Sequence, residues 1–207
     1  MMSGYCSIIL DHYNTESRVI MNRHLTMADH VAAVCRAGYY RLRQLRPTVR
    51  SLPIDAAKTL IQAFISNRLD YCNAALCGIT DTLLRKLQSV QNVPARLLIQ
   101  TGRQEHITPV LRQLHWLPVS RRIDFKLAML MYQISRGLAL TYLQDRCRLA
   151  SEVSSGRRLR STNVPTFVVP RTRTKLGDRS FAAAGPRLWN SLPWPLRQSE
   201  TLMLSTN

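Results

Sequence analysis

Acidic side chains are scarce in this sequence: its 207 residues hold 12 Asp and Glu against 29 Lys and Arg, a formal net charge of +17. The acids stand apart from one another, so the chain offers no carboxylate cluster for two-metal phosphoryl transfer. The G-x-S-x-G pattern of serine hydrolases and the glycine-rich phosphate-binding loops are also missing. We therefore expect no catalytic residue, no cofactor and no self-sufficient catalysis.

Long apolar runs are absent as well. The most apolar segment, Phe125–Ile134, is about ten residues long, whereas a membrane-spanning helix needs about twenty. The first ten residues, MMSGYCSIIL, place no basic residue ahead of their short apolar run, unlike a secretory signal. We expect an intracellular chain, nuclear or cytoplasmic, without a transmembrane segment.

Cysteines are few and form no disulfide framework. The five are Cys6, Cys35, Cys72, Cys77 and Cys147. An odd set without compact spacing is typical of reduced thiols in an intracellular protein. Cys72 and Cys77 have the spacing of a zinc-ligand pair, but a structural site needs two further ligands, which the sequence does not supply nearby. We expect no metal, and we place Cys72 among the buried apolar residues of a helix.

Apolar residues recur at steps of three and four through most of the chain, which predicts a mainly α fold. We expect a small bundle of about five helices, followed by a basic, largely irregular C-terminal segment. The domains would be a poorly defined segment at 1–25, with a short strand at Cys6–Leu10, a helical domain at 26–148, and a Ser/Pro/Arg-rich segment at 149–207. This last segment would hold a β-like run at Val164–Val169 and one short helix near Phe181–Trp189.

Proline, glycine and capping residues set the expected helix ends. The first helix would stop near Leu45, before Pro47, and the second would run from Ser51 to Leu76, with Gly78 as its stop. The other limits follow the same rules. The third helix would start after Thr80 and kink or break near Val93 because of Pro94. A short fourth helix would start with a Thr108 cap and be ended by Pro118. A central fifth helix, the most buried one, would span Ser120–Ser135 before Gly137.

The excess of positive charge favours a polyanionic partner, with nucleic acid first and an anionic membrane surface second. A basic chain that binds neither is the remaining alternative. Arginines next to aromatic residues indicate where phosphates and bases would be contacted. The candidate nucleic-acid-binding residues are Arg36, Tyr40 and Arg43 on the first helix, Arg121 and Arg122 on the fifth, and Arg187 beside Trp189.

Several motifs resemble one known family. In chain order they are HLTMADHV, YYRLRQLRP, AFISNRLDYCNAALCGI, LQSVQNVPARLL, HITPVLRQLHWLPVSRRIDFKLAMLMYQ and RSFAAAGPRLWNSLP. From His24 to Pro195 the sequence is similar to the C-terminal part of reverse transcriptases from LINE-type (non-LTR) retrotransposons, jockey and chicken-repeat-like branch. The resemblance implies the thumb-like helices and the basic segment behind them, which would grip a primer–template duplex or RNA. The family's metal-binding acids lie upstream of this region, so the resemblance assigns no catalytic residue to this chain.

Three features depart from the family pattern. Val93-Pro94 stands where small residues are usual, a leucine in RGLALTYL stands where a proline is usual before YL, and the first twenty or so residues do not follow the pattern. We therefore expect a truncated remnant of an RNA-directed DNA polymerase that keeps a nucleic-acid-binding thumb without the catalytic palm domain. Two alternatives are a piece of an active reverse transcriptase and a recruited helical interaction protein. No membrane or small-molecule partner is expected.

Overall fold

The computed structural model describes residues 19–20, 26–153 and 165–198, and these residues are mainly helical, as predicted. They fall into two compact units. Unit 1 contains the described residues up to Asn73 together with Ile79–Val119, and unit 2 contains Ala74–Gly78 together with those from Ser120 onward. The strand expected at Cys6–Leu10 lies outside the described residues.

The described residues form more helices than the five expected, because several are single turns. They are α1 (Ala28–Ser51), α2 (Ile54–Ile61), α3 (Asn67–Asp70), α4 (Asp81–Ile99), α5 (Ile107–Gln113), α6 (Val119–Ser135), α7 (Thr141–Gln144), α8 (Ala150–Val153), α9 (Lys175–Asp178), α10 (Phe181–Ser191) and α11 (Trp194–Gln198). A π turn, Gln62–Ser66, joins α2 to α3, and a 3₁₀ turn follows at Asn73–Leu76.

Helix α1 continues past the predicted stop at Leu45 and ends at Ser51, with Pro47 inside it. Proline removes one backbone donor and crowds the preceding turn, but its neighbours hold the helix in place. Leu42 and Val49, on either side of Pro47, are both buried. Tertiary packing therefore outweighs the local preference, and the prediction of an early stop was wrong.

The second predicted helix also ends elsewhere. It begins at Ile54, after Pro53, and stops at Asp70 rather than Leu76. Cys72 adopts a left-handed conformation with φ of 51° and is exposed, so its placement on a buried helical stripe was wrong. Gly78, with φ of 67°, does stand where the chain turns toward α4.

Helix α4 follows Thr80 as predicted, and it is not broken at Pro94. Pro94 is buried, as are Val90 and Leu98 on the same helix. The proline therefore weakens the helix locally but also contributes to its buried face. The next helix, α5, begins at Ile107, because the Nδ1 atom of His106 accepts a hydrogen bond from the backbone N–H of Thr108 at 3.4 Å. The cap is thus two residues earlier than predicted.

Unit 2 is organised around α6 and α10. The limits of α6 match the prediction to one residue, and Gly137 follows it with φ of 69°. Phe125 is exposed, however, so α6 is not buried all round. The core of this unit contains Met131, Tyr132, Ile134, Cys147, Phe167 and Trp189.

The segment expected to be largely irregular supplies two of those core residues. Trp189 lies on α10, which confirms the short helix predicted near Phe181–Trp189, and its Nε1 donates to the carbonyl of Pro165 at 2.7 Å. Asn190 holds the backbone of Phe167 in both directions, accepting from its N–H and donating to its carbonyl. The β-like run reduces, in its described part, to one isolated bridge between Leu149 and Phe167; Val164 lies outside the described residues.

Candidate nucleic-acid interface

A broad cleft in unit 1 lies along α1 and α4, and we name it the arginine cleft. Its volume of about 1350 Å³ exceeds the roughly 300–1,000 Å³ of typical small-molecule sites, so it suits a larger ligand. Its lining contains five arginines and no acidic residue. The residues are Tyr39, Leu42, Arg43, Arg46, Val49, Arg50, Leu52, Ile54 and Ala57 on one side, and Ser89, Asn92, Val93, Arg96, Leu97, Leu98, Gln100, Thr101 and Arg103 on the other.

Helix α1 contributes three of the arginines. Arg43, Arg46 and Arg50 are separated by three and four residues, which places them on one side of the helix. At 1.5 Å per residue they cover about 10 Å of its axis. Within a double helix each strand carries a phosphate roughly every 3.4 Å of axis, so this row extends over about three phosphate intervals.

The other two arginines come from the end of α4 and the loop after it. Arg96 donates from its Nη1 atom to the carbonyl of Gly102 at 2.6 Å, which ties the loop back to the helix. Gln100 is left-handed, with φ of 58°, and reverses the chain at the end of α4. Arg103 follows this reversal and lines the cleft.

The positive charges of the cleft are not neutralised within the described part of the chain. No described residue forms an ion pair or side-chain hydrogen bond with Arg43, Arg46, Arg50 or Arg103, and all four are exposed. The bond of Arg96 goes to a neutral carbonyl, so its charge is also retained. Guanidinium groups that line one cleft without a neutralising partner create a positive potential that attracts a polyanion.

An aromatic ring stands at one end of the cleft. The hydroxyl of Tyr39 shares a 2.8 Å hydrogen bond with the hydroxyl of Ser89, linking α1 to α4, and the residue stays 42% exposed. Immediately beside it, Gly38 is buried against Val90. The ring is therefore held in position by its polar tip while part of its surface faces solvent.

The structure brings only one of the predicted site residues into the cleft. Arg43 lines it, whereas Arg36 and Tyr40 are exposed on α1 but absent from the lining. The sequence reasoning missed Arg46 and Arg50 because it ended α1 at Leu45. The spacing of three and four from Arg43 would have found both, had the helix been continued through Pro47.

The remaining predicted residues belong to unit 2. Arg121 lies 3.6 Å from the carboxylate of Asp124, one turn further along α6. Arg187 donates to Asp178 at 3.0 Å. A hydrogen bond from Thr172, and secondarily the one from Arg187, hold the pKa of the Asp178 carboxyl below its ordinary value. Arg122 is partly buried on α6 and has an interaction of its own.

The cysteines do not assemble a metal site in the described residues, where no group of three His, Cys, Asp or Glu side chains has suitable geometry. Burial raises the pKa of the Cys77 thiol and raises that of Cys147 to about 11. The pKa of Cys35 is also raised by burial, against a smaller lowering effect of Lys86. These thiols are therefore poor nucleophiles at neutral pH.

None of the helices in the described ranges is long and apolar enough to cross a membrane. Comparisons of this chain with protein-family models, with curated proteins and with solved structures found no match. The functional argument therefore depends on the residues and the geometry of the arginine cleft.

Proposed function

We propose that this chain binds nucleic acid through the arginine cleft. The observation that carries the proposal is the composition of that surface: five arginines, no acid, and four guanidinium groups that no described residue pairs. Arginine is suited to phosphate because its planar fork donates two parallel hydrogen bonds and never loses its charge. A net charge of +17 adds long-range attraction toward the same class of partner.

The resemblance to the thumb region of LINE-type reverse transcriptases supports the same proposal from an independent direction. We propose that the chain is a remnant of such a retrotransposon polymerase, acting as a helical nucleic-acid-binding module. Its 12 scattered acids supply no metal-binding pair, which supports binding rather than polymerisation as the activity of these residues.

The test is a salt titration of binding with charge-matched variants of the full chain. Binding of a labelled oligonucleotide is followed by fluorescence anisotropy for the wild type, for Arg46→Gln/Arg50→Gln, and for Arg85→Gln/Arg112→Gln. Arg85 and Arg112 are exposed arginines of unit 1 outside the cleft lining, so both double variants lose the same charge.

Five phosphate contacts predict that log affinity falls with log salt with a slope of about −3.5 for a single strand, and loss of two contacts reduces this slope by about 1.4. We expect the Arg46/Arg50 variant to lose at least tenfold in affinity and the Arg85/Arg112 variant to stay within about threefold of the wild type. Equal losses in the two variants would mean that net charge, rather than the cleft, governs binding, and would reject the proposal.

A further inference from the structure

We infer that the arginine cleft binds a single strand of nucleic acid. Its bases would contact the exposed apolar lining residues Leu52, Ile54 and Val93, and its phosphates would contact the arginines. This inference rests on the proposed nucleic-acid binding and names the form of the ligand. The basis is that arginines and exposed apolar side chains line the same cleft, beside an anchored aromatic ring.

Part of the apolar lining of the cleft is exposed, while Leu42, Val49, Ala57 and Leu98 are buried beneath it. Leu52, Ile54 and Val93 line the cleft and are 36%, 47% and 43% exposed. A double helix presents sugars and phosphates outward and stacks its bases inside, so it would press charged groups against these side chains. Burying charges without polar partners is costly. An unpaired strand has free base faces, which apolar side chains can cover.

Tyr39 supplies the stacking surface that an unpaired base needs. Its hydroxyl is already bonded to Ser89 at 2.8 Å, so little side-chain freedom is lost when a base stacks on the ring. Arg43 lies one helical turn further along the same side of α1. A base on Tyr39 and a phosphate on Arg43 would thus belong to the same short stretch of strand, the combination used by proteins that bind single strands without sequence preference.

An acidic peptide would also satisfy the arginines, but it has no flat base to place on Tyr39. Because carboxylates are polar, they would not cover the exposed apolar lining residues Leu52, Ile54 and Val93. Charge alone does not separate the two ligands, whereas stacking does. The test therefore depends on Tyr39 and on a neighbouring tyrosine that does not line the cleft.

The experiment compares ligands of one length on the full chain by fluorescence anisotropy in about 50 and 200 mM salt. The probes are a labelled single strand of about 12 nucleotides, the duplex of the same sequence, and a labelled poly-glutamate peptide of matched charge. The variants are Tyr39→Leu, Tyr39→Phe and Tyr40→Leu. Tyr40 is adjacent, 53% exposed and outside the cleft lining, which makes it the matched control. Circular dichroism and thermal unfolding confirm that each variant is folded.

We expect the single strand to bind tighter than the duplex and Tyr39→Leu to weaken it about tenfold. Tyr39→Phe keeps the ring but loses the bond to Ser89, so it should weaken binding less than Tyr39→Leu, and Tyr40→Leu should stay close to the wild type. Duplex binding as tight as, or tighter than, that of the single strand would overturn this inference and leave the proposed function standing. Equal sensitivity of Tyr39→Leu and Tyr40→Leu would also overturn it. Poly-glutamate binding as tightly as the oligonucleotides, or no binding of either oligonucleotide, would overturn the proposed function itself.

Discussion

Gly38 on α1 and Val90 on α4 lie so close that a β-carbon on the glycine would be 2.6 Å from Cγ1 of the valine. Both residues are buried. The absence of a side chain at Gly38 therefore sets the distance between the two helices that line the arginine cleft. The adjacent bond between Tyr39 and Ser89 continues the same contact toward the surface.

The first prediction concerns this close approach. Gly38→Ala adds a methyl group where there is no room, and we expect it to destabilise the fold by about 1–3 kcal/mol despite the better helix propensity of alanine. Urea unfolding measures the loss. The double variant with Val90→Ala removes the obstructing methyl groups, so a part of the Gly38→Ala penalty should disappear in a double-mutant cycle. Additive effects of the two substitutions would contradict the contact.

The second prediction concerns Pro47, which is exposed within α1. Pro47→Ala restores a backbone donor to the helix and removes the crowding of the ring, while the unfolded chain gains freedom. We expect a net stabilisation of about 1–2 kcal/mol, seen as a rise in Tm. Pro53→Ala is the control, because Pro53 precedes α2 and its change should give no such gain. A loss of stability in Pro47→Ala would indicate that α1 ends before this residue.

The third prediction is a pH dependence at His30, which is only 4% exposed. Burial, and secondarily the charge of Arg68, lower the pKa of His30 in the folded protein. Below the ordinary histidine pKa of about 6.5, the unfolded chain takes up a proton that the folded chain resists, so stability falls as pH falls through this range toward the lowered pKa.

Urea midpoints at pH 7.5 and 5.5 measure this loss in the wild type, and His30→Gln should show a smaller one. His115→Asn is the matched control. His115 is exposed and left-handed, a conformation that asparagine tolerates. If His30→Gln kept the full pH dependence, another group would have to be responsible.

The fourth prediction ranks two thiols by their reactivity. Cys72 is exposed, whereas Cys147 is 5% exposed with a pKa raised to about 11. Because the thiolate is the nucleophile, brief treatment with iodoacetamide at pH 7.5 should modify Cys72 and spare Cys147. Peptide mass spectrometry identifies the modified residue, and unfolding in urea should make Cys147 reactive. Equal labelling of both in the folded protein would contradict their placement.

The mainly helical fold was predictable because its signal is local and repeated. Apolar spacing located α4 and α6, and Thr80 and Gly137 correctly mark an end of each. The helix ends predicted near Leu45 and at Leu76 were wrong because local rules ignore packing. Leu42 and Val49 are buried on either side of Pro47, and α1 packs against α4, which is distant in sequence. This packing keeps α1 helical beyond its proline.

The candidate site shows the same division. The sequence by itself determined the charge excess and identified Arg43, since composition and helical spacing are properties of the chain alone. Only the tertiary structure decided that Tyr39, rather than Tyr40, reaches the cleft. It also joined Arg43 to Arg96 and Arg103 on one surface. The physical reason is that the cleft is formed by two helices in contact. The close approach of Gly38 to Val90 depends on how these helices pack, and the apolar periodicity of each helix alone does not predict it.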